Sequence, residues 1–281
     1  MIEAREIAVE AADGHRFQLL ARIPAAPSRS VLWLPALGIA AKHYVAMAEV
    51  LAARGVAVFV HEWRGHGSST LRADATRDWG YRELLLHDIP ASAAAVAIAS
   101  PAARPAIGGH SLGGQLACCH LALQPGSASS LWLAGSGAPY WRAFPTPSRW
   151  MLPLAYRFLP WLAQRAGYLP GRRIGFGGNE ARSLIRDWAR TAITGHYQAQ
   201  GVDTNLEAAL ARVSVPVRAA LFDNDWLAPE SSLRFLLSKL ATREPQARIF
   251  GAATLGAAAD HYAWMKRPEA VADWFLSAPQ E

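Results

Sequence analysis

The chain has 281 residues, 52% of them apolar and 18% charged, which excludes a disordered chain and is ample for one large globular body. Its net charge of +6 comes from scattered residues, all but three of the 28 basic ones arginine (the exceptions are Lys42, Lys239 and Lys266). The tightest basic cluster is Arg172-Arg173, so no nucleic-acid face is expected, and those two arginines read as solvated surface rather than a carboxylate-binding pair. The start, MIEAREIAVEAADGH, carries acids and lacks a long apolar core, unlike a secretory leader. The alanine-rich stretch 89–103 is broken by Pro90 and Pro101 and is too weak to span a bilayer. The expectation is a cytoplasmic protein with no stable membrane insertion.

In chain order, REIAVEA (5–11) and RFQLLARI (16–23) read as strands around the turn ADGH, and SVLWLPA (30–36) as a third. A helix follows, with Tyr44, Met47, Ala48 and Leu51 on one face and Gly55 as its stop. VAVFV (56–60) is a buried strand, and HEWRGHGSS a loop. Residues 82–99 are helical, with Pro90 placing the helix start near Asp88. PAIGGH is a strand, LGGQLACCHLAL a helix and SLWLAG (130–135) a strand. Adjacent Cys118 and Cys119 in that apolar helix read as small core fillers in a reducing compartment, not as a disulfide or metal pair.

The alternation predicts βαβ units on a mostly parallel sheet with helices on both faces. It breaks from 138 to 201, where there is no clear strand but several tryptophans and prolines. It resumes with a strand at 215–222, the helix PESSLRFLLSKL, a strand at 247–250 and the helix PEAVADWFLS. The expected organisation is a core of 1–137 and 202–281, with 138–201 inserted as a helical lid.

The stretch PAIGGHSLGGQLA (105–117) holds the chemistry. Gly109-His110-Ser111-Leu112-Gly113 fits G-x-S-x-G, which puts a serine on a sharp turn between strand and helix, its glycines giving clearance. The strand before it and the helix after it are the context that the motif requires. A serine hydroxyl needs a base held by an acid, in the chain order Ser, Asp or Glu, His. LFDNDWLAP and GAAADHYAWMKRP follow later strands, where open α/β sheets place their sites. His261, in a loop before a helix, is the candidate base, ahead of His196 in the insertion. Asp225, starting D-x-x-x-P, is preferred as the acid over Asp223, which reads as a strand-end turn residue, and over the loop carboxylate Asp260. His110 reads as a packing neighbour, and His61 and His66 have no partners at metal-ligand spacing. No metal, nucleotide or other cofactor is implied.

With these residues assembled, the sequence resembles the α/β-hydrolase superfamily, near its serine-aminopeptidase and monoacylglycerol-lipase group. The resemblance runs through LPALGIAAKHYVAMAEVLAARGVAVFVHEWRGHGSS, GGHSLGGQLA, LFDNDWLAP and DHYAWMKRP, with Arg64-Gly65-His66-Gly67-Ser68-Ser69 close to the family's R-G-x-G-x-S loop. Where the family commonly has His-Gly, this chain has Pro35-Ala36, followed by Leu37-Gly38. A backbone donor needs no particular side chain, so the resemblance implies an oxyanion hole from the Leu37 and Leu112 N–H groups.

The expected activity is hydrolysis of a carboxylic ester of a hydrophobic acyl or aromatic group, through an acyl-enzyme on Ser111. Transfer to another acceptor, hydrolysis of thioesters or amides, and a catalytically silent binding module are the alternatives. Trp141, Trp150, Trp161, Trp188 and Tyr140 are the candidate substrate-binding aromatics of the lid; the alternative is that they form the lid's own small core.

Overall fold

The computed structural model describes residues 1–101 and 104–277. The last two residues of the apolar stretch 89–103 and the last four of the segment 202–281 thus lie outside the described residues. Eight strands form one sheet: β1 (Ile2–Glu10), β2 (Arg16–Pro24), β3 (Arg29–Leu34), β4 (Val56–Val60), β5 (Ala106–His110), β6 (Leu131–Ala134), then β9 (Val217–Phe222) and β10 (Gln246–Phe250). Their spatial order is β1-β2-β4-β3-β5-β6-β9-β10. The β1–β2 and β2–β4 pairs are antiparallel and every other pair is parallel.

The helices are α1 (Val45–Ala53), α2 (Tyr81–Glu83), α3 (Ile89–Ala99), α4 (Leu112–Leu123), α5 (Ser148–Ala166), α6 (Gly171–Ile174), α7 (Arg182–Thr194), α8 (Leu206–Leu210), α9 (Glu230–Leu237), α10 (Ala252–Leu255) and α11 (Glu269–Leu276). Both sheet faces are covered, which is why β3 and β4 are continuous apolar runs rather than alternating ones. Leu32, Leu34 and Phe59 pack with α4 on one face. Val31, Trp33 and Val58 pack with α1 and α11 on the other.

The start of the 82–99 helix differs from the expectation. The helix begins at Tyr81 and reaches α3 through a π-helical turn over Leu84–Asp88, in which the Ile89 N–H bonds to the Leu84 carbonyl five residues back. Pro90 has no N–H to give the ladder, and the widened turn just before it absorbs that loss. The segment 138–201 lies between β6 and β9. It holds α5, α6 and α7 and, contrary to the strandless expectation, a two-residue antiparallel pair, β7 (Leu169–Pro170) with β8 (Asn179–Glu180). Runs that short carry no readable alternation. Cys118 and Cys119 are buried and unpaired, and burial pushes the Cys118 thiol up to about 12, so it stays protonated.

Candidate active site

The C-terminal ends of the parallel strands deliver the site. Ser111 follows β5 directly and precedes α4, with φ 54° and ψ −120°, a conformation that L residues rarely adopt and that persists only where the surroundings enforce it. The Ser111 N–H is held by the Ala134 carbonyl at 3.1 Å, and its carbonyl accepts from the Ser136 hydroxyl at 2.8 Å. A Cβ on Gly109 would stand 2.3 Å from the Gly113 carbonyl carbon, and one on Gly113 would stand 2.0 Å from the Leu34 oxygen. Only glycine permits this approach of strand, turn and helix.

Asp225 sits in the loop after β9, and His261 in the loop after β10. The His261 Nδ1 is 2.7 Å from Asp225 Oδ2, with both side chains buried. The other carboxylate oxygen of Asp225 accepts the Leu227 and Ala228 N–H groups at 3.0 and 3.1 Å, which fixes the carboxylate in place. Asp223 is exposed, and Asp260 accepts the Tyr262 and Ala263 N–H groups at the start of the next turn. His196 is far more exposed and pairs with Glu207 at 3.6 Å.

Ser111 and His261 open into one cavity of about 160 Å³, bordered also by Leu37 and Leu112. Leu112 is the first residue of α4, where an N–H has no intrahelical acceptor. The backbone bonds of these two turns run from Ile39 to Ala36 and from Gly114 and Gln115 to Ser111, so neither the Leu37 nor the Leu112 amide is consumed by them. The loop carrying Leu37 is held on several sides. Its Pro35 carbonyl accepts from Trp63 Nε1 at 2.9 Å. Gly38, at φ +80°, lies so near the backbone of 177–178 that a Cβ would come within 2.2 Å of the Gly178 nitrogen. His66 joins the same junction through Glu180 at 3.1 Å.

Sequence reading missed the polar chain beneath the site. The Tyr44 hydroxyl accepts the Ala36 N–H at 2.9 Å and lies 2.9 Å from His110 Nδ1. The His110 ring in turn packs 4.7 Å from the His261 ring. Burial, followed by the proximity of His261, pushes His110 well below the usual histidine range, so it is neutral. The Tyr44 hydroxyl accepts from Ala36 with one lone pair, which leaves its O–H free to donate to His110 Nδ1. Tyr44 was legible only as a core position. The expected result for Tyr44→Phe is a melting experiment showing a loss of about 1–3 kcal/mol, because Ala36 N–H and His110 Nδ1 lose their buried partner.

Of the five candidate aromatics, only Trp188 on α7 borders the cavity. Tyr140 packs instead against Phe235 with ring centroids 4.8 Å apart, and Trp141 packs near Trp150 at 6.2 Å. Trp150 and Trp161 are mostly exposed on the far side of α5. The face of α5 toward the cavity carries Leu152, Tyr156 and Leu159, joined by Phe144 and Phe176. Aromatic character marks a residue that wants contact, not the direction of that contact, which depends on how the helix is rotated in its packing. Arg172 and Arg173 are exposed. Among the described residues, no Asp, Glu, Lys or Arg lines the cavity.

The sequence pattern of the hydrolases described as serine aminopeptidase, S33, matches residues 25–250. This chain belongs to that family. The match ends before the loop that carries His261. No curated protein matches it at the level of sequence. Among solved structures, this S33-family hydrolase is similar to the thioesterase domain from the curacin biosynthetic pathway, with 18% identity, a TM-score of 0.61, and 98% of this chain and 100% of that one covered. It is similar to the monoacylglycerol lipase of Paleococcus ferrophilus at 18% identity and a TM-score of 0.60, covering 91% and 97%. It is similar to the esterase domain of a Rhodothermus marinus protein at 14% identity and a TM-score of 0.60, covering 97% of each. At these identities the likeness is one of fold, and it makes the eight-stranded sheet an α/β-hydrolase sheet.

Proposed function

We propose that this S33-family hydrolase is a serine hydrolase that cleaves a carboxylic ester with an apolar acyl or aromatic group. The observation that carries the reading is the cavity itself: a serine on a strained turn and a histidine braced by a buried aspartate open together into a chamber that no charged side chain among the described residues lines. Ser111 Oγ attacks the ester carbonyl while His261 takes its proton at Nε2, and Asp225 holds the Nδ1–H and balances the imidazolium. The Leu37 and Leu112 N–H groups stabilise the oxyanion, each contributing roughly 3–4 kcal/mol to lowering the barrier. His261 then returns the proton to the leaving alcohol, and water clears the acyl-enzyme. In this reading 138–201 is the lid, and Trp188, Phe144, Leu152, Tyr156, Leu159 and Phe176 clasp the acyl group against the Ser111 turn.

A fluorophosphonate probe tests it. The expected result is an adduct on the peptide containing Ser111 in the wild type and labelling slowed by about three orders of magnitude or more in His261→Ala, since the hydroxyl then lacks its base. Equal labelling of the two proteins, or an adduct at another serine, would sink the assignment.

A further inference from the structure

Thirteen large apolar side chains are exposed over the described residues, and five of them lie on one helix, α5. Trp150, Met151, Leu154, Phe158 and Trp161 are each 50–70% exposed. Positions 150, 154, 158 and 161 follow each other at spacings of four, four and three, so they form a single stripe along the helix. Met151 sits beside that stripe. Positions 152, 156 and 159 form the opposite stripe, which borders the cavity. An α5 that only closed the chamber would need one apolar face; this one has two. Isolated exposed apolar residues are ordinary, but a contiguous row of this kind marks a docking surface.

The charge around the stripe indicates what docks there. From residue 138 to 179 the chain contains no Asp or Glu and six arginines: Arg142, Arg149, Arg157, Arg165, Arg172 and Arg173. None of the six makes an ion pair among the described residues. Arg142 and Arg149 lie 5.0 and 5.6 Å over the rings of Trp141 and Trp150. An apolar stripe with tryptophan near both ends, flanked by unpaired arginines, matches a surface that is hydrocarbon beneath and anionic above. A second copy of this chain is a poor match, because it would bring six arginines against six. No helix among the described residues is long and apolar enough to cross a membrane, so the contact is one of lying on a bilayer.

We propose that the outer face of α5 docks this protein onto an anionic lipid surface, with Trp150, Leu154, Phe158 and Trp161 entering the headgroup region and Arg142, Arg157 and Arg165 contacting anionic headgroups. Ala155 on α5 is exposed and also borders the cavity, as do exposed Trp226 and Tyr262. The cavity rim thus meets the docking helix. The docking is independent of the chemistry; its consequence, delivery of a lipid ester from the bilayer to Ser111, rests on the hydrolase reading above.

Co-sedimentation of the full chain with vesicles tests the proposal, using phosphatidylcholine alone and phosphatidylcholine mixed with phosphatidylglycerol. The expected result is binding to the mixed vesicles about tenfold or more tighter than to phosphatidylcholine alone, weakening as salt is added. A triple variant, Trp150→Ser with Phe158→Ser and Trp161→Ser, loses the binding but hydrolyses a water-soluble short-chain ester at the wild-type rate. A second variant, Arg142→Glu with Arg157→Glu and Arg165→Glu, loses the preference for the mixed vesicles. Wild-type protein that stays in the supernatant, binds both vesicles equally, or hides the stripe in a concentration-dependent dimer overturns the proposal, as does a triple variant that sediments like the wild type. Sedimentation without fluorophosphonate labelling of Ser111 keeps the docking and removes the hydrolase reading; labelling without sedimentation does the reverse.

Discussion

Ser111→Ala is expected to lower kcat for ester hydrolysis on the order of a million-fold, leaving only what the oxyanion donors and binding contribute. The size follows from the role. In the proposed mechanism the loss of the hydroxyl removes the acyl-enzyme and leaves His261 and Asp225 with no nucleophile to activate. The fold should survive, because Ser111 Oγ is not among the groups holding the turn; its N–H and carbonyl do that through Ala134 and Ser136. Comparison with Ser111→Gly separates chemistry from strain. Both variants are inactive, but alanine keeps the Cβ that makes φ 54° unfavourable, whereas glycine releases it. Ser111→Gly should therefore be the more stable of the two in chemical denaturation, by about 1 kcal/mol. Retained turnover in Ser111→Ala would remove Ser111 from the mechanism. Equal stability of the two variants would mean the turn is not strained by its side chain.

The second large effect lies away from the cavity, in a buried network behind the Arg64 loop. The Arg64 guanidinium spans Asp88 at 2.6 and 2.7 Å and reaches Asp13 at 2.7 Å. Asp88 Oδ1, which Arg64 Nη2 also reaches, lies 3.0 Å from His15 Nδ1, and the second nitrogen of His15 lies 2.9 Å from the Ser69 hydroxyl. The network is itself a Ser, His and Asp chain, but Ser69 is buried away from the cavity, so its role is to join the β1–β2 turn, the 64–69 loop and the end of the π-helical turn. Asp88→Ala leaves Arg64, 4% exposed, short of its main counter-ion. A loss of about 3–5 kcal/mol is expected in urea denaturation.

The same carboxylate sets a pH dependence. Burial pushes Asp88 up, but the hydrogen bonds from His15 and Arg64, with the charge of Arg64, outweigh it and hold the group below its ordinary value. A carboxyl depressed in the folded state binds protons more weakly there than in the unfolded chain. Its stabilisation is therefore fully present above the unfolded value of about 3.9 and is lost as pH falls through the lower folded value. The stability gap between wild type and Asp88→Asn should be flat from neutral down to about pH 5 and shrink below about pH 4. A gap that widens on acidification would contradict the assignment.

The succession of strands along the chain and the location of Ser111 were legible because both are local. A buried strand shows itself as a short apolar run, and the serine turn demands glycines within two residues of the nucleophile. The loops after β9 and β10 were legible for a related reason, since the fold fixes which strand ends face the site. The π-helical turn before Pro90 was not, because the proline reads equally as a helix start and as a break that a wider turn can absorb.

Local pattern alone was enough for the alternation of strands and helices, the strained Ser111 turn and the later loops from which an acid and a histidine would come. The tertiary structure decided the choices that depend on how elements are rotated and stacked. It turned buried Asp225 rather than exposed Asp223 toward His261, and it set Tyr44 under the Leu37 loop. It placed Trp188 at the cavity while sending Trp150 and Trp161 outward on α5. The physical reason is the same in each case. Residue type fixes what contact a side chain needs, and only the packing of distant elements fixes which of several equivalent side chains obtains it.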